Sequence, residues 1–359
     1  VTARVHLDLR RRLDEEPLGF PSTESQLDLR LLEAIFTEEE ARGYLELGAL
    51  LEEPSAVARR VGSSVERLAG VLDGLARKGL VRRRGGTCGP RYAAIPFALG
   101  AFEFELRSED AALGRLFDRY YEEAYGRDGV FIDEPIRVVP VERSLEPSRL
   151  STRGDMRALV ARADVIAVSR CVCRVQQKLL GRGCAQSEEA CFQFGRRARQ
   201  VAANGSGRIV TREEALAMLE RCERAGLVSL AFVAEGGGGL CNCCGDCCLV
   251  LRAIKLRPAP ARGVSADHRV EVNPESCSAC SACLGRCQME ALYLGEAGVP
   301  EVDRNRCIGC GLCVTTCPER ALSLRERPES ERAASEVRGG YLMQLARQDL
   351  RDFVATARE

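Results

Sequence analysis

Two runs of four cysteines with the same internal spacing constrain this chain of 359 residues more than any other feature. The first is Cys277-x2-Cys280-x2-Cys283-x3-Cys287. The second, Cys307-x2-Cys310-x2-Cys313-x3-Cys317-Pro318, begins thirty residues later. A CxxCxxC loop can wrap three thiolates around one iron–sulfur cube, and a fourth thiolate must reach it from elsewhere in the chain. A ligand set drawn from distant segments couples metal binding to folding. Two CxxC pairs can also make a four-thiolate zinc site, but zinc sites rarely repeat CxxCxxCxxxC in register.

These runs resemble the bacterial two-cluster [4Fe–4S] ferredoxins, in which the fourth cysteine of each run serves the other cluster. Carried over by position, the resemblance implies one cluster on Cys277, Cys280, Cys283 and Cys317, and a second on Cys307, Cys310, Cys313 and Cys287. Val270-Glu-Val and Ala291-Leu-Tyr-Leu flank the first run, and Glu301-Val and Ala321-Leu-Ser-Leu the second, as in the duplicated unit of that family. One position departs: Gln288 follows Cys287 where the pattern has proline.

The chain holds nineteen cysteines, two histidines and no tryptophan, so any metal chemistry rests on sulfur. Nineteen is odd, which excludes complete internal pairing, and about 5% cysteine is below the roughly 8–10% of a short disulfide scaffold. The opening VTARVHLDLRRRLDEEP has no apolar core and carries acids, unlike a secretory signal. No stretch approaches the roughly eighteen apolar residues of a membrane span. A cytoplasmic location follows as the expectation, and clustered thiols there are metal ligands or redox groups before they are disulfides. Fifty-two Lys+Arg balance fifty-two Asp+Glu, which excludes a polycation built to coat nucleic acid.

Cys88 is the one cysteine of the first 170 residues, and the other eighteen fall between Cys171 and Cys317. Ahead of the ferredoxin-like runs come Cys171-Val-Cys173-Arg174, then Cys184 and Cys191, and later Cys241-Asn-Cys243-Cys244-Gly-Asp-Cys247-Cys248. Arg170, Arg174 and Lys178 lie near the first group, where cations stabilise thiolates. The favoured assignment is one cluster on Cys171, Cys173, Cys184 and Cys191 and another on Cys241, Cys244, Cys247 and Cys248, with Cys243 spare or exchanged for one of them. A single cluster drawing on both groups and a structural zinc are the alternatives. Cys222, inside a helix opened by Thr211, reads as a buried helical cysteine.

The N-terminal part is poor in cysteine. A short helix stops at Gly62, Ser63 or Ser64 caps the next one over Val65–Lys78, and Gly79 ends it. Val65, Leu68, Val71, Leu72 and Leu75 form its apolar face, and "LVRRRGG" with "RYAAI" makes a hairpin. This order resembles the winged helix-turn-helix of bacterial regulators, which implies DNA binding with Arg82, Arg83 and Arg84 on phosphates. Against that role, Glu66 and Asp73 sit on the groove helix, and residues 30–50 hold five Glu against two Arg. Beyond it the pattern places strands at 97–106, 136–141 and 165–169 and helices at 113–125 and 155–163.

The expected fold is therefore α+β and multidomain. It comprises an N-terminal segment (1–25), a winged-helix-like domain (26–105), a mixed α/β cysteine-rich middle domain (106–263), a two-cluster ferredoxin-like βαβ repeat module (264–327) and a C-terminal helix (328–359). The whole chain resembles 4Fe–4S ferredoxin-domain proteins of anaerobic bacteria. It shows no GxGxxG after a strand, no GxxxxGK[ST] and no HExxH. The primary expectation is electron transfer to or from a partner oxidoreductase. A redox-sensing DNA-binding regulator is the second, and catalysis at an incompletely ligated middle cluster the third.

Overall fold

The computed structural model describes residues 3–15, 19–85, 89–95, 97, 109–126, 136–145, 156–203, 205–232, 238–295 and 297–328. Cys88, most of the expected strand at 97–106 and the expected C-terminal helix lie outside the described residues. The protein is a mixed α+β chain with antiparallel sheets. It divides into two compact units, Val1–Tyr125 with Val175–Gly181, and Gly126–Arg174 with Arg182–Glu359.

The first unit opens with α1 (Arg4–Asp14), α2 (Leu27–Ile35) and α3 (Glu38–Leu45). Thr37 and Glu40 start α3 with a reciprocal capping box, satisfying two otherwise orphaned N–H groups. Next comes α4 (Pro54–Val61), which has proline in its first turn and ends at the left-handed Gly62. The Ser64 hydroxyl accepts from the Arg67 N–H to open α5 (Val65–Lys78), which Gly79 closes with φ 82°. Leu68, Leu72 and Leu75 are buried, whereas Val65, expected on the same apolar face, stays 40% exposed in the first turn. The hairpin is β1 (Val81–Arg84) with β2 (Arg91–Ala94), and Glu52 bridges to Tyr92 beside it. The helix α6 (Ala111–Gly126) carries Phe117, Tyr120, Tyr121 and Tyr125, all buried. Tyr120 packs 4.7 Å, centroid to centroid, from Phe20.

The second unit is built on a six-stranded antiparallel sheet. Its strands are β3 (Ile136–Val139), β4 (Ile166–Arg170), β5 (Glu189–Phe194), β6 (Gly207–Val210), β7 (Val228–Phe232) and β8 (Gly239–Cys243), in the order β3-β7-β8-β5-β4-β6. Alternation along each strand divides the residues between two faces. Ile166, Val168, Phe192, Phe194, Ala231 and Leu240 pack with Met218 and Leu219 of a helix over Arg212–Arg224. The Thr211 hydroxyl caps that helix by accepting from the Glu214 N–H. On the other face Ala167 packs with Ala198 and Val201 of a helix over Gly195–Ala203.

The same unit continues through a helix over Leu249–Lys255 into four short strands. Here β9 (His268–Val272) pairs with β12 (Leu322–Glu326), and β10 (Leu292–Leu294) with β11 (Pro300–Val302). The first strand thus pairs with the last, and the two cysteine runs lie between them. Arg137 of β3 holds Asp267 with both guanidinium nitrogens, at 2.8 and 2.9 Å, and pairs by backbone with Ser265. Arg286 donates to the carbonyls of Glu223 and Arg224 at the end of the Arg212–Arg224 helix. These contacts join the strands β9–β12 to the large sheet.

Candidate metal centres

The two ferredoxin-like loops share one backbone design. Left-handed φ recurs at equivalent positions: Ala279 and Gly309, Ser281 and Gly311, Glu290 and Arg320. The second loop needs glycine because a Cβ on Gly309 would stand 2.0 Å from the His268 carbonyl oxygen, and one on Gly311 would strike the Ser144 hydroxyl. The first loop holds Ala279 and Ser281 in the same conformation, at a cost of about 1–2 kcal/mol each. Backbone N–H groups are already directed at the sulfurs. Ala291 donates to Cys287 at 3.2 Å and Ala321 to Cys317 at 3.3 Å, each four residues on, and Ala279 donates to Cys277 at 3.4 Å. Such bonds tune the potential of a thiolate-ligated cluster.

The thiols meet across the repeat. Burial pushes the Cys283 thiol up, and the nearby Cys280, Cys317 and Cys277 add to the shift. Burial likewise pushes Cys310 up to about 12, reinforced by Cys287 and Cys307, and pushes Cys313 well up, reinforced by Cys310, Cys307, Cys287 and Cys283. The two groups differ in access: Cys280 is exposed, whereas Cys307 and Cys313 are buried. Four thiols converging from two loops, with N–H donors aimed at them, fit a thiolate-ligated iron–sulfur cube.

In the large sheet the register sorts the remaining thiols. Cys191 of β5 and Cys241 of β8 are direct cross-strand partners, their sulfurs 3.6 Å apart, and Cys243 lies two residues on along the same face. Cys171 follows the end of β4, Cys173 lies in the first turn of a helix over Val172–Leu179, and Cys248 immediately precedes the Leu249–Lys255 helix. Together they form a row of sulfur neighbours, Cys241–Cys191–Cys171–Cys173–Cys248–Cys243. Hydrogen bonds from Cys173 and Cys191 hold the Cys171 thiol well below its ordinary range, and Arg174 adds to the effect. The Leu249 N–H donates to the Cys173 sulfur at 3.4 Å.

The other three thiols form a separate group. Cys184, Cys244 and Cys247 have their sulfurs within 4.8 Å of one another, with Cys184 and Cys244 at 3.6 Å. They pack with Ala190, Cys222 and Leu227. Ala190 faces the opposite side of β5 from Cys191, so the two thiol groups lie on opposite faces of the sheet at one end of its strands. The expected pairing of Cys184 with Cys171, Cys173 and Cys191, and of Cys244 and Cys247 with Cys241 and Cys248, is not the grouping the structure makes. Alternation turns Cys191, Cys241 and Cys243 to one face, whereas Cys184, Cys244 and Cys247 lie outside the strands and gather with Ala190 against the other.

Arg174 stands between the groups. It is 1% exposed and donates to the carbonyls of Ser187 at 2.6 Å and Asn242 at 2.7 Å. Burial works against its charge, but Cys171, Cys244 and Cys184 outweigh that and hold the guanidinium firmly protonated. Arg170, expected beside the thiolates, is ion-paired with Glu188 at 2.8 Å.

Two residues gain a place that the sequence did not indicate. Cys222 joins the packed group around Cys244 and Cys247, brought there by the helix that covers that face. Gln288, the departure from the proline pattern, accepts a 2.6 Å hydrogen bond from the Gly245 N–H through its side chain. A Cβ on Gly245 would stand 2.4 Å from the Gln288 carbonyl oxygen, so glycine there admits the contact.

Residues 299–322 match a family described as a 4Fe-4S binding domain, and the matched segment contains Cys307, Cys310, Cys313 and Cys317. No curated protein and no solved structure matches the chain. The protein thus carries a 4Fe–4S binding segment and, apart from it, a cysteine triad able to hold a metal. Among the described residues no helix is long and apolar enough to cross a membrane.

Proposed function

We propose that this protein is an iron–sulfur electron carrier serving a partner oxidoreductase. In this reading one [4Fe–4S] cluster is held by Cys277, Cys280, Cys283 and Cys317, a second by Cys307, Cys310, Cys313 and Cys287, and a further one by four thiolates of the six-sulfur row in the large sheet. Bound clusters of this kind supply reversible one-electron chemistry. The observation that supports the reading is that Cys317 is an electrostatic neighbour of Cys283, and Cys287 of Cys307, Cys310 and Cys313.

The chain's own residues set the conditions. N–H donors at Cys277, Cys287 and Cys317 are placed to tune the potential of a cluster held by those sulfurs. Arg174 offsets negative charge beside the row, and the exposed Cys280 marks the side on which a partner protein would dock. The DNA-binding alternative draws less support. Arg83 is ion-paired with Asp73 at 2.9 Å, Arg67 with Glu39 at 2.6 Å, and Arg82 donates to the Ala49 carbonyl.

Anaerobic reductive titration of the full chain, followed by electron paramagnetic resonance, tests the proposal. It predicts uptake of about three electrons per chain, one for each cube. It also predicts that Cys171→Ser removes one of them and leaves the other two. Uptake of about two electrons, unchanged by Cys171→Ser, would contradict a redox centre in the sheet.

A further inference from the structure

Three thiols stand unusually close together in the group beside the Arg212–Arg224 helix. Among the described residues, Cys184, Cys244 and Cys247 are the one set of three potential ligands whose donor atoms all lie within 4.8 Å of one another. The eight cysteines of the ferredoxin-like runs are all described, and no three of their sulfurs come that close. Nor do any three sulfurs of the six-membered row. A cube of irons and sulfides stands between its ligands and keeps their sulfurs well apart. A single tetrahedral ion does the reverse: metal–sulfur bonds of about 2.3 Å place neighbouring sulfurs about 3.8 Å apart. Cys184 and Cys244 are 3.6 Å apart with Cys247 within 4.8 Å of both, the compactness of one ion's shell; Cys191 and Cys241 are as close as a pair, but among the described residues no third sulfur joins them at that range.

A structural tetrahedral site needs a fourth ligand. Cys222 is the thiol in position to supply it. It is 7% exposed, packs in one cluster with Cys244 and Cys247 with Cys184 against that cluster, and comes from a different element. Its sulfur lies outside the 4.8 Å set, so closing the tetrahedron requires that side chain to turn toward the other three. The Cys184 N–H donates to the Cys247 sulfur at 3.4 Å, an outer contact that orients that ligand.

We infer that Cys184, Cys222, Cys244 and Cys247 form a single-ion zinc site, distinct from the iron–sulfur centres and structural in role. The ion ties the loop before β5, the Arg212–Arg224 helix and the turn after β8 into one corner. That turn matters to both neighbours. It leads to Cys248 of the six-sulfur row on one side, and its Gly245 binds Gln288 of the ferredoxin-like region on the other. The inference extends the electron-carrier proposal but does not depend on how many cubes the sheet holds.

The test is zinc content and zinc K-edge X-ray absorption on the anaerobically purified full chain, alongside Cys222→Ser and Cys222→His. The expected result is about one zinc per chain with four sulfurs at about 2.3 Å. Cys222→Ser should lose the zinc while its labile sulfide stays unchanged. Cys222→His should keep it with three sulfurs and one nitrogen, since zinc accepts that set. The wild-type spectrum decides even if a variant fails to fold. Absence of zinc, fewer than four sulfurs around it, a lone iron in its place, or a Cys222→Ser chain that keeps zinc and loses labile sulfide would each overturn the assignment. Failure of the electron-carrier proposal would appear in iron and sulfide content, which this measurement reads separately.

Discussion

The ferredoxin-like strands and the large sheet both gather thiols, but by opposite means. In the first, ligands sit in two loops of identical spacing, and the backbone repeats residue by residue down to its left-handed positions. In the proposed assignment local sequence specifies three sulfurs of each set, and the fourth comes from the other run. In the sheet, no short segment contains a complete site. Cys191 meets Cys241 through strand register, and Cys244 meets Cys184 across 60 residues. A one-residue slip of β8 against β5 would send Cys241 to the other face and dismantle the row. Loop-borne sites are therefore local and repeatable, whereas sheet-borne sites exist only once the topology is complete.

The strongest way to sharpen this contrast is to remove the sulfur that crosses the repeat. Cys287→Ser should abolish the cluster assigned to Cys307, Cys310 and Cys313, about four irons per chain, while the sheet's metal is retained. Iron and labile sulfide analysis, with hydrogen exchange over 264–327, checks both halves of that statement. Loss of all iron would show that the two regions are not separable.

Next in size is Arg174. Removing the guanidinium leaves the Ser187 and Asn242 carbonyls without that donor and takes its charge from beside Cys171, Cys184 and Cys244, so Arg174→Leu should cost about 3–5 kcal/mol. Urea denaturation of the variant measures it. Arg174→Lys should recover only part, since one ammonium cannot reproduce the planar fork.

A smaller effect is expected where the regions touch. Gln288→Pro restores the ferredoxin-like pattern but leaves the buried Gly245 N–H without its acceptor, at about 1–3 kcal/mol. Denaturation midpoints should fall while iron content holds. An unchanged midpoint would mean that Gln288 does not couple the two.

In pH dependence the two regions should differ least. Burial pushes Cys310 in one and Cys247 in the other up to about 12, so both thiols are protonated at neutral pH before metal binds. Metal binding must expel those protons, so retention weakens as pH falls and strengthens as it rises. Competition with a thiol-selective chelator across pH 6–9, scaled per proton at about tenfold per unit, follows the two metals together.

How much of this was legible in the sequence differs by region for the same physical reason. The loop spacing, the Ser64 cap, the Gly79 stop and the strands flanking each run are local signals, and the elements stand where those signals place them. The sharing of the middle thiols was not legible. Period-2 alternation separates Cys191 from Ala190 and Cys241 from Asn242, but sequence does not say which strands are neighbours. In sequence Cys222 reads as an ordinary buried cysteine, because only the docking of its helix on the sheet brings it to the cluster of Cys244 and Cys247. Gln288 registered as a broken pattern because its partner, Gly245, lies in another element.

The most direct test of the central claim is iron and acid-labile sulfide per chain on the anaerobically purified protein. The account predicts about twelve of each, three cubes with one of them in the sheet. About eight of each would confine the clusters to the ferredoxin-like loops and contradict an electron relay through the sheet.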